Sequence, residues 1–314
     1  MGVLVIGNAG YIGDSVVENL LLSNYSVCGI DRLMYTDSYM RPNIEFIRAD
    51  IRDKEFEYLM LNKWDAVIHL AAIVGDGACQ ANPQETVSVN EDFVAKLVGL
   101  LSKETRLIFA STCSVYGANN DLLDENSNVN PLSLYAGTKL KAEDYVRKHS
   151  NHVIFRLGTL FGLSSPFARI RSDLVANTLA FKACEGNKLT VFGGEQWRPL
   201  VHVKDVGRIF AEAVEKKYVG TFILSYDNYK IIDIAKVIDR LVGDSGGLEV
   251  TDMKFEDLRN YRVNNNKAKR EGILPDISLY EGIDEIVEVY KRQGRIKNPW
   301  LTQYNNAKFI KELT

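Results

Sequence analysis

Val3-Leu4-Val5-Ile6-Gly7-Asn8-Ala9-Gly10-Tyr11-Ile12-Gly13 opens the chain with an apolar tetrad that breaks into glycines three residues apart. A short, uninterrupted apolar run is what a strand buried on both faces of a parallel sheet requires. The stretch from about Tyr11 to Leu22 then reads as a helix. At such a junction Gly7 permits a tight turn, Gly10 lets backbone approach a pyrophosphate, and Gly13 lets the helix pack on the strand. The free N–H groups of the first helical turn would face the phosphates. Gly7, Gly10, Tyr11, Ile12 and Gly13 are therefore expected to line a dinucleotide site.

Further strand-like runs follow at 26–30, 44–47, 66–70, 106–110 and 152–156. Helical stretches separate most of them, notably 91–103 and 134–148. Strands alternating with helices predict an α/β fold with a doubly wound parallel sheet, and crossover handedness restricts its topology. The pattern changes after Gly162. A helix is expected over 172–185, and 203–216 with Thr221-Phe222-Ile223-Leu224 reads as one more helix and strand of the sheet. Helices over 231–242 and 279–293 are expected in a smaller C-terminal substrate-binding lobe. The expected division is 1–163 with 199–225 for the dinucleotide-binding domain, and 164–198 with 226–314 for the second lobe.

Asp31 ends the second strand, where a carboxylate accepts hydrogen bonds from the adenosine ribose diol and repels the extra phosphate of NADP. NAD is therefore the expected cofactor, with the adjacent Arg32 able to soften that preference. Asp31 read as a plain turn residue is the alternative. Asp50 suits a contact to the adenine amino group, with Ile51 beside the ring, or is a simple loop carboxylate.

The formal net charge of −3 gives no basic footprint for nucleic acid or an anionic membrane. Cys28, Cys79, Cys113 and Cys184 are far apart and form no CxxC pair, which reads as reduced thiols in a cytoplasmic protein. The four histidines show no metal-ligand spacing, so no metal is expected. The apolar start is too short for a signal peptide or a membrane span.

Tyr135 and Lys139 lie four residues apart, on one face of a predicted helix. A neighbouring ammonium favours phenolate, so the tyrosine can serve as a base. Upstream, the hydroxyl cluster Ser111-Thr112-Cys113-Ser114 follows a strand.

Taken in order, GNAGYIG at 7–13, HLAAIVG at 69–75, STCSVYG at 111–117, YAGTK at 135–139, FRLGTLFG at 155–162 and RPLVHVKDV at 198–206 resemble the extended short-chain dehydrogenase/reductase family. The likeness is to its nucleotide-sugar epimerase and dehydratase branch, covers nearly the whole chain and implies a Rossmann-type sheet. It implies a catalytic set of Thr112, Tyr135 and Lys139. Thr112 would hydrogen-bond the sugar C4 oxygen, Tyr135 would take the proton of that hydroxyl, and Lys139 would hold the nicotinamide ribose. Leu70, Ala71 and Ala72 would line the cofactor and Asn90 would lie near it. Arg198 and Arg259 resemble the arginines that grip a nucleotide-sugar diphosphate, each offering a planar fork of donors. Asp173 and Asn177 would contact nucleotide or phosphate, with Arg169 and Arg171 adding charge, or this stretch is a solvated basic loop.

The chain also departs from that pattern. Dehydratases of this branch place Asp and Glu after the catalytic Thr, where this chain has Cys113 and Ser114. Elimination of water is therefore not expected. Cys113 reads as an acid for epimerisation or as a small apolar filler. Thr159 stands where many UDP-hexose 4-epimerases have a substrate-touching Asn. The leading expectation is an NAD-dependent nucleotide-sugar epimerase that oxidises C4 to a ketone and reduces it again. The alternatives are a nucleotide-sugar 4-dehydrogenase or ketoreductase using the same residues, and a non-catalytic dinucleotide-binding module. The resemblance further implies a homodimer through the helices near 91–103 and 134–148. The stripe Phe93, Val94, Leu97, Val98 and Leu101 fits that interface or the chain's own core.

Overall fold

A computed structural model describes residues 1–60, 63–251 and 259–313. Its centre is a parallel sheet of seven strands among the described residues: β1 (Gly2–Ile6), β2 (Ser26–Asp31), β3 (Glu45–Arg48), β4 (Ala66–His69), β5 (Arg106–Thr112), β6 (His152–Leu157) and β7 (Gly220–Leu224), in the order β3-β2-β1-β4-β5-β6-β7. Register pairs Ile6 with both Ile30 and His69, and Thr112 with Leu157. The strand order reverses at β1/β4, so the C-terminal ends of β1, β2, β4 and β5 converge on one crevice, where ligands of open α/β sheets bind.

Side chains of a strand alternate between faces, and β1 shows why its apolar run is continuous. Val3 and Val5 pack with Val16, Val17 and Leu20 of α1 (Gly13–Leu22). Leu4 and Ile6 pack on the other face with Phe93, Val94 and Leu97 of α2 (Phe93–Leu100) and Ala142 and Val146 of α3 (Leu134–Val146). The stripe on α2 is thus turned into the chain's own core, with Val98 and Leu101 partly buried against it. Helix α2 starts later than the sequence pattern suggests, because Pro83–Val87 and a widened π turn over Ser88–Asp92 precede it.

A second apolar cluster joins α4 (Val175–Cys184), α6 (Ile231–Val242) and α7 (Leu279–Val287) through Phe181, Ile234, Ile238, Ile283 and Ile286. Between α4 and α6, α5 (Val203–Glu212) returns to the central sheet, and a Cβ on Gly207 would lie 2.1 Å from Ser15 Oγ, so the two helices touch backbone to backbone. Strand Trp197–His202 pairs with Thr159–Phe161 and Asp227–Lys230 in a separate small sheet. Ala268, Ile273 and Ile310 pack into the two layers of the central sheet instead of the second cluster. The last of these lies on α8 (Asn306–Leu313). No helix among the described residues is long and apolar enough to cross a membrane.

Candidate active site

A cavity of about 880 Å³ runs along the C-terminal edge of the sheet, from the glycine turn to the second cluster. The turn leaves β1 with Gly7 at φ +88, a conformation glycine adopts without strain. A Cβ at Gly13 would sit 2.1 Å from Gly7 O, so helix α1 can start there only with glycine. Tyr11 lines the cavity, and its hydroxyl donates to Gly162 O at 2.7 Å, tying the turn to the loop after β6.

Asp31 lines the same cavity, its Oδ2 accepting from Ala9 N at 3.2 Å and Oδ1 from Leu33 N at 2.7 Å. It braces the turn as well as facing the crevice, and burial raises its carboxyl above the usual range. Asp50 and Ile51 line the adenosine end. Asp50 is not a free acceptor there. Arg52 grips both its oxygens at 2.8 and 2.6 Å and Arg32 adds 3.1 Å, holding the carboxyl well below its ordinary value. Arg32 also reaches Glu85 at 2.5 Å, so it is engaged with acids instead of standing open to a 2′-phosphate.

Leu70, Ala71 and Ala72 form the wall opposite the glycine turn, the first two donating backbone N–H groups to Ile6 O. Asn90 does not face the cavity. It is buried behind this wall, accepting from Ile73 N at 2.8 Å and donating to Ile73 O at 2.9 Å. Its part is to pin the loop.

Thr112 closes β5, and its Oγ1 accepts from Ser114 N at 3.1 Å and meets Ser114 Oγ at 3.1 Å. Tyr135 enters from the first turn of α3, which Ser133 caps by accepting from Ala136 N at 3.3 Å. Tyr135 and Thr112 line the same cavity, and Thr112 is the smallest of the influences that act on the phenol. Lys139, one turn on, is buried with Nζ 4.1 Å from the Phe109 ring centroid. The expected lowering of the phenol pKa is not what the protein alone displays. Burial raises Tyr135, outweighing Arg171, the largest cation that pulls it down. Burial also brings Lys139 down to about 7, against the pull of Glu143, so the lysine is itself a weak source of positive charge.

Cys113 lies outside the cavity. It is fully buried beside Val115 and Tyr116, its thiol donates to Arg156 O at 3.2 Å, and burial pushes its pKa up. It is a filler, not an acid. Thr159, Asp173, Arg169, Arg171, Arg198 and Arg259 all line the cavity. Asp173 accepts from Arg171 at 2.6 and 3.1 Å and from Asn306 N at 3.0 Å. Asn177 is buried behind them, bridging Gly162 N, Gly162 O and Arg171 O. Arg198 donates to the carbonyls of Trp197 and Arg259, bringing both arginines to one end of the cavity.

Lining residues that escaped sequence reasoning include Asp76, Tyr261, Tyr35 and Asn306. Asp76 directly follows the HLAAIVG marker and Tyr261 follows Arg259 by two positions, so adjacency was a usable signal for both. Tyr35 and Asn306 carry none. Arg169 lies 3.9 Å over the Tyr35 ring and donates to Gln303 O at 2.9 Å and to Asn306 Oδ1. Asn306 Nδ2 in turn donates to Val74 O at 2.8 Å. These contacts fasten residues 303–306 across the crevice, between the β4 loop and the loop after β6.

The glycine cradle, the α1 N-terminus and the acid ending β2 fit a dinucleotide diphosphate and its adenosine ribose, while the hydroxyl pair and Lys139 fit the redox end. Fold and site thus define a dinucleotide-binding protein whose cleft is also lined by Thr112, Tyr135 and Lys139. Residues 3–223 match the model of the NAD dependent epimerase/dehydratase family, and the chain belongs to that family, with NAD as its cofactor. It is 28% identical over 306 residues to a Methanocaldococcus jannaschii protein provisionally named as a UDP-glucose 4-epimerase, covering 93% of this chain and 99% of that one. It is 26% identical over 311 residues to UDP-glucuronic acid decarboxylase 2 of Arabidopsis thaliana, covering 93% of this chain and 68% of the relative. Among solved structures it resembles the UDP-glucose 4-epimerase of Thermotoga maritima with UDP-glucose, at a TM-score of 0.80 and 25% identity over 93% of this chain and 99% of the other.

Proposed function

We propose that the protein is a nucleotide-sugar C4 epimerase. The observation that carries this reading is the convergence of Thr112, Tyr135 and buried Lys139 on one cavity, with a thiol turned away at 113 and a hydroxyl at 114 where elimination would need carboxylates. NAD, held by the glycine turn at Gly7–Gly13 and by Asp31, would supply the hydride acceptor and donor for C4. Tyr135 takes the proton of the C4 hydroxyl as the ketone forms and gives it back on reduction. Thr112 holds the same oxygen by a hydrogen bond, and its link to Ser114 keeps that hydroxyl aimed. Arg198 and Arg259 hold the diphosphate while the sugar pivots to present its other face. The wall at Leu70–Ala72 and the clasp at 303–306 keep water away and confine the cofactor between the two half-reactions.

UDP-linked hexoses are the substrates this reading favours, in line with the names of the relatives. The test is to denature the purified protein, identify the released dinucleotide, and offer fresh enzyme a panel of UDP-, dTDP-, GDP- and CDP-sugars. Bound NAD and interconversion of a C4 pair without net reduction are expected. NADH discharged only by an added keto compound would replace the reading with a dehydrogenase. Carbon dioxide released from UDP-glucuronic acid would replace it with a decarboxylase.

A further inference from the structure

The cavity holds one acid that the mechanism does not use. Asp76 lines it beside Tyr135, and its side chain is 29% exposed. Oδ2 lies 3.6 Å from Arg259 Nη1, at the diphosphate end, while Oδ1 is buried with no hydrogen-bond partner. The same carboxylate is close enough to Tyr135 to act on its phenol electrostatically. A sugar held by its diphosphate at Arg259 and by its C4 hydroxyl at Tyr135 must therefore pass alongside Asp76.

The position is rigidly built. Asn90 clamps Ile73 from the sheet side, and Asn306 holds Val74 O from the C-terminal side. Cys79 ties both its backbone N–H to Gly75 O and its thiol to Ile73 O. Gly77 abuts Ala307, since a Cβ there would lie 3.0 Å from the alanine methyl. A carboxylate on a loop pinned from both sides and lining the cavity is a means of discrimination.

We propose that Asp76 is a specificity-determining residue that accepts hydrogen bonds from hydroxyl groups of a neutral nucleotide-linked hexose and excludes a nucleotide-linked uronic acid. This rests on the nucleotide-sugar reading above. A sugar carboxylate beside Asp76 would bring two like charges together in a water-poor cleft. Nor do the arginines of the cavity stand ready to offset it. Arg32 engages Asp50 and Glu85, Arg171 engages Asp173, Arg169 engages the 303–306 clasp, and Arg198 donates to two backbone carbonyls. Arg259, the cation beside Asp76, is assigned with Arg198 to the diphosphate.

Calorimetric titration of the NAD-loaded protein with UDP-glucose and with UDP-glucuronic acid tests this apart from turnover. Wild type is expected to prefer UDP-glucose by roughly 100-fold, like-charge contact being the source. Asp76→Asn should weaken UDP-glucose binding by about tenfold and strengthen UDP-glucuronic acid, collapsing most of the preference. Asp76→Ser serves as a second variant, and unchanged melting temperature and NAD content control for folding. Equal or tighter binding of UDP-glucuronic acid by wild type, binding of neither sugar, or equal weakening of both by Asp76→Asn each overturns the assignment. The last outcome would make Asp76 a mere support for Arg259. A preserved binding preference without C4 interconversion would instead reject the epimerase reading and leave Asp76 in place.

Discussion

Tyr135 and Lys139 are four residues apart, yet burial drives them in opposite directions, the phenol up and the ammonium down to about 7. Removing the proton-transfer group by Tyr135→Phe should cost about 10²–10⁴ in kcat with little change in nucleotide-sugar binding, read by steady-state kinetics beside calorimetry. Lys139 makes a prediction about stability. Its pKa in the fold lies below the ordinary 10.5 of the unfolded chain, so between about 7 and 10.5 the unfolded chain binds more protons. Stability contributed at this site therefore rises with pH across that window, and the cost of burying the charge is felt in full below it. Without cofactor, Lys139→Met should melt above wild type at pH 6, with the gap narrowing as the pH approaches 10. A gap that stays constant with pH would mean that the ammonium is not buried as described. The residue scale also explains what sequence left open. A strand-end position such as Cys113 faces either the cleft or the core depending on a local turn, and no spacing rule decides which.

Helix α3 carries Tyr135 and Lys139, both proposed as catalytic, and one buried acid ties it to the sheet. Glu143 receives Ser111 Oγ at 2.5 Å and Arg156 at 3.0 and 2.8 Å, joining the helix to β5 and β6, the two strands beneath it. Glu143→Ala would strand Arg156 inside the protein, and a loss of about 3–5 kcal/mol in urea unfolding is expected. At the glycine turn after β1, Gly13→Ala places a methyl 2.1 Å from Gly7 O and should give protein that purifies without NAD, measured by absorbance of the denatured extract. Elements of this kind were legible because their patterns are local. The apolar tetrad, the glycine turn and the Tyr–Lys spacing each lie within a few residues of sequence. The split of 91–103 was not, because the π turn at Ser88–Asp92 places Asn90 behind Ile73, a demand set by a loop 17 residues away. The start of α4 at Val175 shows the same thing, since Ser172 N donates to Tyr304 O and Asp173 accepts from Asn306 N, partners far along the chain.

At the scale of the whole molecule, the cleft is assembled from three distant parts of the chain. The sheet and helix α3 supply the glycine turn and the Thr112, Tyr135 and Lys139 cluster, the loop after β6 supplies Arg169 and Asp173, and residues 303–306 fasten the two across the opening. Removing everything after residue 301 should leave the sheet folded, with far-ultraviolet dichroism nearly unchanged, but release NAD on gel filtration that the full chain retains. Retention of NAD by the shortened chain would show that the glycine turn suffices. Asn306 and Val74 are separated by 232 positions. At cellular rates of synthesis a ribosome needs roughly 10–50 s to travel between them. In the last part of that interval, after β7 ends at Leu224, a growing chain has its sheet but no clasp, so the cofactor has an open door during manufacture that shuts once the distal segment arrives.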